Sequence, residues 1–186
     1  MGILLATSNE HKAKMMQSIL ERPINIINLD LPEVQAVDVQ KVIEQKARVA
    51  YSLVGKPVLV EDTSLSFHAW NGLPGALIRW FLETVGNEGV CQMLIGFDLL
   101  DATAEACLGY FDGQEFVSFS GTIKGHITRS PKGNNGFGWD PIFIPEGWGK
   151  TLAEMTQEER SNLVSMRTAA VLQMKAYLDS QEKMIL

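Results

Sequence analysis

Two stretches of alternating side chains, residues 104–110 and 115–120, flank the dipeptide Asp112-Gly113, and this arrangement restricts the fold more than any other feature. Alternation at period two puts successive side chains on opposite faces of a ribbon, and Asp-Gly suits the tight reversal between two strands. Residues 102–127 are therefore expected to form a β-hairpin that extends a sheet or builds a second lobe. Upstream the pattern differs. Ile3-Leu4-Leu5-Ala6 reads as a short strand ending at Thr7-Ser8-Asn9, and Met15, Met16, Ile19 and Leu20 then follow helical spacing. Residues 24–29 read as a second strand. Residues 39–53 read as a helix closed by Gly55-Lys56-Pro57. Pro57-Val58-Leu59-Val60 is a buried-type strand expected to deliver Glu61-Asp62-Thr63 at its carboxyl end, where open α/β sheets bind ligands.

After the break at Leu73-Pro74-Gly75, helices are expected over 76–85 and 88–95. Thr156 with Glu159 fits a capping box, and Ser165 caps a last helix reaching about residue 180. Helices among the early strands and a hairpin later predict a mixed α/β fold. The 186 residues suit one domain, whole or split into two lobes around a cleft.

With 46 % hydrophobic and 20 % charged residues, the composition is that of a soluble globular enzyme rather than a disordered chain. A formal charge of −6 argues against broad nucleic-acid or anionic-membrane binding; a small anionic substrate would need a local cluster of cations. No apolar run approaches the roughly 20 residues of a membrane span, and the first residues are too short and uncharged for a signal peptide, so a cytoplasmic location is expected. Cys91 and Cys107 are too few for a disulfide framework and are expected to be reduced.

Several segments carry the residues of anhydride cleavage. Thr7-Ser8-Asn9-Glu10-His11-Lys12 places hydroxyls, an amide and a lysine at a strand-to-helix turn, which favours phosphate; it is equally a simple helix cap, and it lacks P-loop spacing. Glu33 and the pair Glu61-Asp62 supply carboxylates for Mg²⁺ or for taking a proton from water. Glu61 reads equally well as a solvated loop charge. Lys46, Arg79 and Arg167 are the cations a triphosphate would need in combination. In Gly136-Phe137-Gly138-Trp139-Asp140-Pro141, two rings and a carboxylate sit on a loosened backbone, which suits a slot for a flat heterocycle or, alternatively, a small aromatic core. His68 and His126 lack metal-ligand partners at useful spacing.

In order along the chain, Ala6-Thr7-Ser8-Asn9-Glu10-His11-Lys12, Asp30-Leu31-Pro32-Glu33, Val60-Glu61-Asp62-Thr63-Ser64-Leu65, Gly72-Leu73-Pro74-Gly75 with Ile78-Arg79-Trp80-Phe81, and Phe137-Gly138-Trp139-Asp140-Pro141 resemble the Ham1-like inosine triphosphate pyrophosphatase family. The resemblance implies an elongated twisted mixed sheet flanked by helices, two lobes with a central cleft, and a homodimer. It implies Mg²⁺-dependent cleavage between the α- and β-phosphates of ITP, dITP or XTP. Carried over by position, Thr7, Ser8, Asn9 and Lys12 would hold phosphates, with Lys46, Thr63 and Arg79 assisting. Glu33 and Asp62 would serve the metal, Asp62 also acting as general base beside Lys12 and Lys46. Phe137, Gly138 and Trp139 would embrace the purine, and Asp140 would read its edge.

Departures from the family pattern stand out, the mildest being Arg79, which occurs where many relatives of this branch carry lysine and keeps the charge. Ser165-Met166-Arg167 occurs where the family usually shows Ser-His-Arg, whose histidine and arginine the resemblance places near the 6-oxo purine edge, and methionine cannot replace a histidine hydrogen bond. The family's preceding lysine falls on Arg160 or Ser161, with Arg160 the better fit. Selectivity for ITP or XTP over GTP and ATP is accordingly expected to be reduced. The competing readings are a nucleotide-binding protein that has lost turnover and a pyrophosphatase with altered base preference.

Overall fold

The structure is a computed structural model that describes residues 2–184. Its strands are β1 (Ile3–Ala6), β2 (Ile24–Ile27), β3 (Val58–Phe67), β4 (Pro74–Gly75), β5 (Asp101–Phe111), β6 (Phe116–Ile127) and β7 (Phe143–Pro145). Its helices are α1 (Glu10–Leu20), α2 (Val39–Val54), α3 (Ile78–Met93), α4 (Gln157–Asn162) and α5 (Met166–Met184). The strands form one mixed sheet in the order β2-β1-β3-β5-β6-β7, with β4 added to β3. Only β1 runs parallel to its neighbours β2 and β3.

The expected hairpin is the backbone of the sheet. β5 and β6 pair from Phe111↔Phe116 to Asp101↔His126. Asp112 closes it by accepting the N–H groups of Gln114 and Glu115, both at 2.8 Å, and these bonds hold its carboxyl below the usual aspartate range. Local cap chemistry fixes the helices. The Asn9 side chain accepts the Lys12 N–H, Asp38 accepts that of Gln40, Thr156 and Glu159 form the expected capping box, and Ser165 accepts the Thr168 N–H. α3 is two helical pieces joined at Gly86, whose φ of 67° is left-handed, close to the two helices expected.

One expected boundary is corrected. β3 does not end at Glu61-Asp62-Thr63; it runs on to Phe67 and pairs with β5 throughout, so these polar residues lie in mid-strand. On its other edge β3 meets β1 only at Val58 and Leu59, and β4 only at Leu65 and Ser66. Residues 60–64 therefore have a strand on one side and an open edge on the other. That gap is the floor of the cleft.

Alternation along β3 explains how the core is divided. Leu59 packs with Leu5, Met16, Leu108 and Val171 beneath α1 and α5. Its neighbours Val58 and Val60 pack on the opposite face with Ile43, Ala47 and Ala50 of α2. Beyond the gap, Leu65 and Phe67 join a third cluster with Ile78, Val90 and Phe143. Cys91 and Cys107 are free and buried, and burial pushes the Cys107 thiol up to about 11. His68 and His126 are exposed.

Candidate active site

The open stretch of β3 presents Glu61 and Asp62 to opposite faces of the sheet, and each meets a different helix. Asp62 lies on the α2 face, where the Lys46 ammonium sits 2.6 Å from Glu33 Oε1, 3.7 Å from Asp62 Oδ2 and 3.4 Å from the Glu61 carbonyl. Glu33 arrives on the loop before α2. That loop is pinned by Ala76, whose N–H donates to the Val37 carbonyl at 2.9 Å, and by a Trp80–Gln35 side-chain hydrogen bond. At Gly75, with φ of 60°, a Cβ would lie 2.2 Å from the Val37 oxygen, so only glycine lets β4 and the loop approach this closely.

Glu61 is no solvated loop charge. Its side chain is 1 % exposed and is clamped between Lys12 of α1 and Arg167 of α5, the latter donating from Nε at 2.7 Å. Three carboxylates (Glu33, Glu61, Asp62) thus alternate with three cations (Lys12, Lys46, Arg167), a balance that allows charges to sit this far from water. Asp62 nonetheless binds its proton more tightly than an ordinary aspartate. Burial is the main cause, opposed by Lys46 and by the Thr63 N–H at 2.7 Å, and assisted by the like charges of Glu33 and Glu61.

Across the gap lies a cavity of about 580 Å³ whose wall includes Glu33, Asp62, Phe137, Asp140, Arg160 and Arg167. The loop bearing Phe137 is held by its own backbone and by one carboxylate. Asp140 Oδ2 accepts the Phe137 N–H at 3.1 Å and an Arg160 Nη2–H at 3.0 Å. Gly136 has φ of 85°, and a Cβ there would fall 2.0 Å from Asp140 Oδ2 and 2.6 Å from Arg160 Nη2. The Asn87 side chain anchors the loop from α3 by donating to the Gly138 carbonyl at 2.9 Å. Phe137 is 69 % exposed and free to meet a ligand, while Trp139 is half-buried against the third core cluster. The two rings therefore do different work: one offers a face, the other roots the loop.

Thr63, Arg79, Gly138, Trp139 and Met166 also border the cavity. Arg79 is largely exposed and pairs with Glu83 at 2.7 Å. Met166 packs in the apolar end of the cavity with Phe143 and Ile123. Of the two candidates in α4, Arg160 reaches Asp140, whereas Ser161 turns back to the Gln157 carbonyl at 2.8 Å. Thr7, Ser8, Asn9, Lys12 and Lys46 do not border the cavity. The Thr7 hydroxyl accepts the Asn9 N–H at 3.1 Å just ahead of α1, and the Asn9 side chain caps that helix; Lys12 and Lys46 reach the site through the carboxylates they bind.

A mixed sheet with a gap in its central strand, charged on the strand side and aromatic on the facing loop, defines an α/β fold whose cavity has one charged end and one aromatic end. The chain belongs to the Ham1 family, whose sequence profile matches residues 3–177. It is 41 % identical over 179 residues to inosine triphosphate pyrophosphatase 1 of Trypanosoma cruzi, covering 94 % of this chain and 91 % of the relative. It is also 41 % identical over 185 residues to the inosine triphosphate pyrophosphatase of Schizosaccharomyces pombe, covering 97 % of each. The Ham1 protein of Staphylococcus aureus has the same fold, with a TM-score of 0.85 at 24 % identity over 97 % of this chain and 100 % of that one.

Proposed function

We propose that this protein is a Mg²⁺-dependent nucleoside triphosphate pyrophosphatase that cleaves the α–β phosphate bond of aberrant purine nucleotides such as ITP, dITP and XTP. The observation that carries the proposal is the convergence of Glu33, Asp62 and the Phe137 loop on one cavity, in a family whose relatives are named for this activity.

The donor set fits Mg²⁺. Glu33 and Asp62 are hard oxygen ligands already gathered around a cation, the Lys46 ammonium. Among the described residues no group of three or more His, Cys, Asp or Glu forms a metal cage. This suits an ion that completes its shell with water and substrate phosphates. Glu33 and Asp62 would hold it, and it would supply charge neutralisation at the phosphates.

Asp62 takes a proton from the attacking water, a role helped by a proton affinity raised above the ordinary aspartate value. Water adds its oxygen to the α-phosphorus, the bond to the bridging oxygen breaks, and the products are a nucleoside monophosphate and pyrophosphate. Lys12 and Lys46 counter the phosphate charge, with Arg79 and the helix start at Thr7-Ser8-Asn9 assisting. Phe137 stacks on the base. Asp140, held by Arg160, keeps its second oxygen for the base edge.

Met166 contributes no hydrogen bond to that edge, so preference for ITP or XTP over GTP and ATP is modest. A homodimer belongs to the same proposal, with the exposed apolar residues Met93, Ile95, Phe97 and Leu99 available to cover one another. So does a cytoplasmic location; among the described residues no helix is long and apolar enough to cross a membrane.

The test is a nucleotide panel with Mg²⁺ or with chelator, detecting pyrophosphate separately from orthophosphate. Metal-dependent pyrophosphate release from ITP or XTP is expected. No release from any nucleotide would favour a binding protein instead, and a preference for ITP over ATP beyond about a hundredfold, some 2.7 kcal/mol, would defeat the relaxed selectivity.

A further inference from the structure

We propose that Glu61 is a positioning residue that couples recognition of the phosphate tail to recognition of the base. The inference rests on the proposed function for the identity of the two ends, and goes beyond it by assigning a role to a residue with no part in metal binding or proton transfer.

Three observations carry it. Glu61 lies on the strand face of Leu59, beneath α1 and α5, where an unpaired carboxylate would be strongly disfavoured. Its two oxygens are divided: Oε1 takes Arg167 Nε at 2.7 Å, and Oε2 takes the Lys12 ammonium. The two cations come from opposite ends of the chain and serve different parts of the site. Arg167 follows Met166, which packs with Phe143 and Ile123 at the apolar end, and lines the cavity wall that also carries Phe137, Asp140, Glu33 and Asp62, whereas Lys12 stands at the first turn of α1, outside that wall.

The consequence is mechanical and electrostatic. Bonding through Nε fixes the plane of the guanidinium and leaves both Nη groups without a partner among the described residues, so Glu61 decides where Arg167 aims its remaining donors. When a phosphate draws on the Lys12 ammonium, Glu61 has less cation to share and holds Arg167 more firmly. A filled phosphate end thereby sharpens the grip at the base end. Groups joined through one shared partner are expected to be non-additive in this way.

The test uses a ratio, because the ITP-to-ATP ratio of kcat/KM is independent of how much of a preparation is active. Glu61→Gln is expected to shift that ratio by about fivefold or more, and Glu61→Asp to return it to within about twofold of wild type. Lys12→Met is expected to change the ratio in the wild-type background and to leave it unchanged once Glu61→Gln is present. A ratio that Glu61→Gln leaves unchanged while kcat falls would reduce Glu61 to a structural role and overturn the proposal. Should Glu61→Gln fail to fold, Lys12→Met alone decides, since an unchanged ratio there also overturns it. If the wild type releases no pyrophosphate, the proposed function fails by itself. The coupling is then judged on the same variants from the ratio of dissociation constants for ITP and ATP, measured by calorimetry.

Discussion

At one end of the cleft Glu33, Lys46, Asp62, Glu61 and Lys12 hold one another by charge, with Arg167 reaching from Glu61 into the cavity wall, whereas at the other Phe137 stands 69 % exposed on a loop fixed by glycine geometry and one carboxylate. The charged end is balanced around one buried carboxylate, Glu61, so removing one member redistributes the charges of the others. The aromatic end is shaped by backbone, so its ring can be trimmed without disturbing the core. Substitutions at the first end should therefore act on chemistry, and those at the second on affinity.

The largest effect is expected at Asp62. Asp62→Asn should lower kcat by about 10²–10⁴, the range of a lost general base, while leaving the fold intact. Its raised proton affinity sets the sign of two pH effects. Protonation removes the base, so kcat/KM should fall with decreasing pH along a limb lying above 3.8, the ordinary aspartate value. Protonated Asp62 favours the folded state, and that contribution is lost as pH rises through the folded-state value. At neutral pH Asp62→Asn should then unfold at a temperature no lower than wild type, with the difference narrowing towards acid. An acid limb at or below the ordinary aspartate value would remove Asp62 from the role of base.

Phe137→Ala should come next, weakening nucleotide binding by about 1–3 kcal/mol with the melting temperature unchanged, because the proposed contact of this exposed ring is with the base and not with the core. A loss of stability with no loss of affinity would turn Phe137 into packing. Gly136→Ala should cost about 1–2 kcal/mol of stability from its left-handed backbone alone, and should also weaken binding by forcing Asp140 away from the Phe137 N–H. Asn87→Ala should be mildest, about 0.5–1.5 kcal/mol in nucleotide affinity, through the freed Gly138 carbonyl. Calorimetric titration beside thermal unfolding separates the three.

Much of this division is legible in the residues themselves. Asp112-Gly113, the caps at Asn9, Thr156 and Ser165, and the stop at Gly55 are local signals, and local chemistry decides those elements. The end of β3 is misplaced because Glu-Asp-Thr reads as the close of a strand, while ten residues of pairing with β5 carry the strand through it. Pairing of that kind is set by a partner some 40 positions away. The role of Glu61 had a usable signal in its parity: it shares a face with Leu59 and Leu65, which marks it as a buried charge in need of cations. Which cations answer it, from α1 and α5, depends on how the helices dock. The split between an exposed Phe137 and a rooted Trp139 is likewise decided by three-dimensional packing.

The central claim is that the charged end directs water to the α-phosphorus of a nucleotide held by the aromatic end. Phosphorus NMR of ITP turned over with Mg²⁺ tests it most directly. Equimolar IMP and pyrophosphate, both formed at least about a hundredfold more slowly with Asp62→Asn, are the predicted result; IDP with orthophosphate would contradict it.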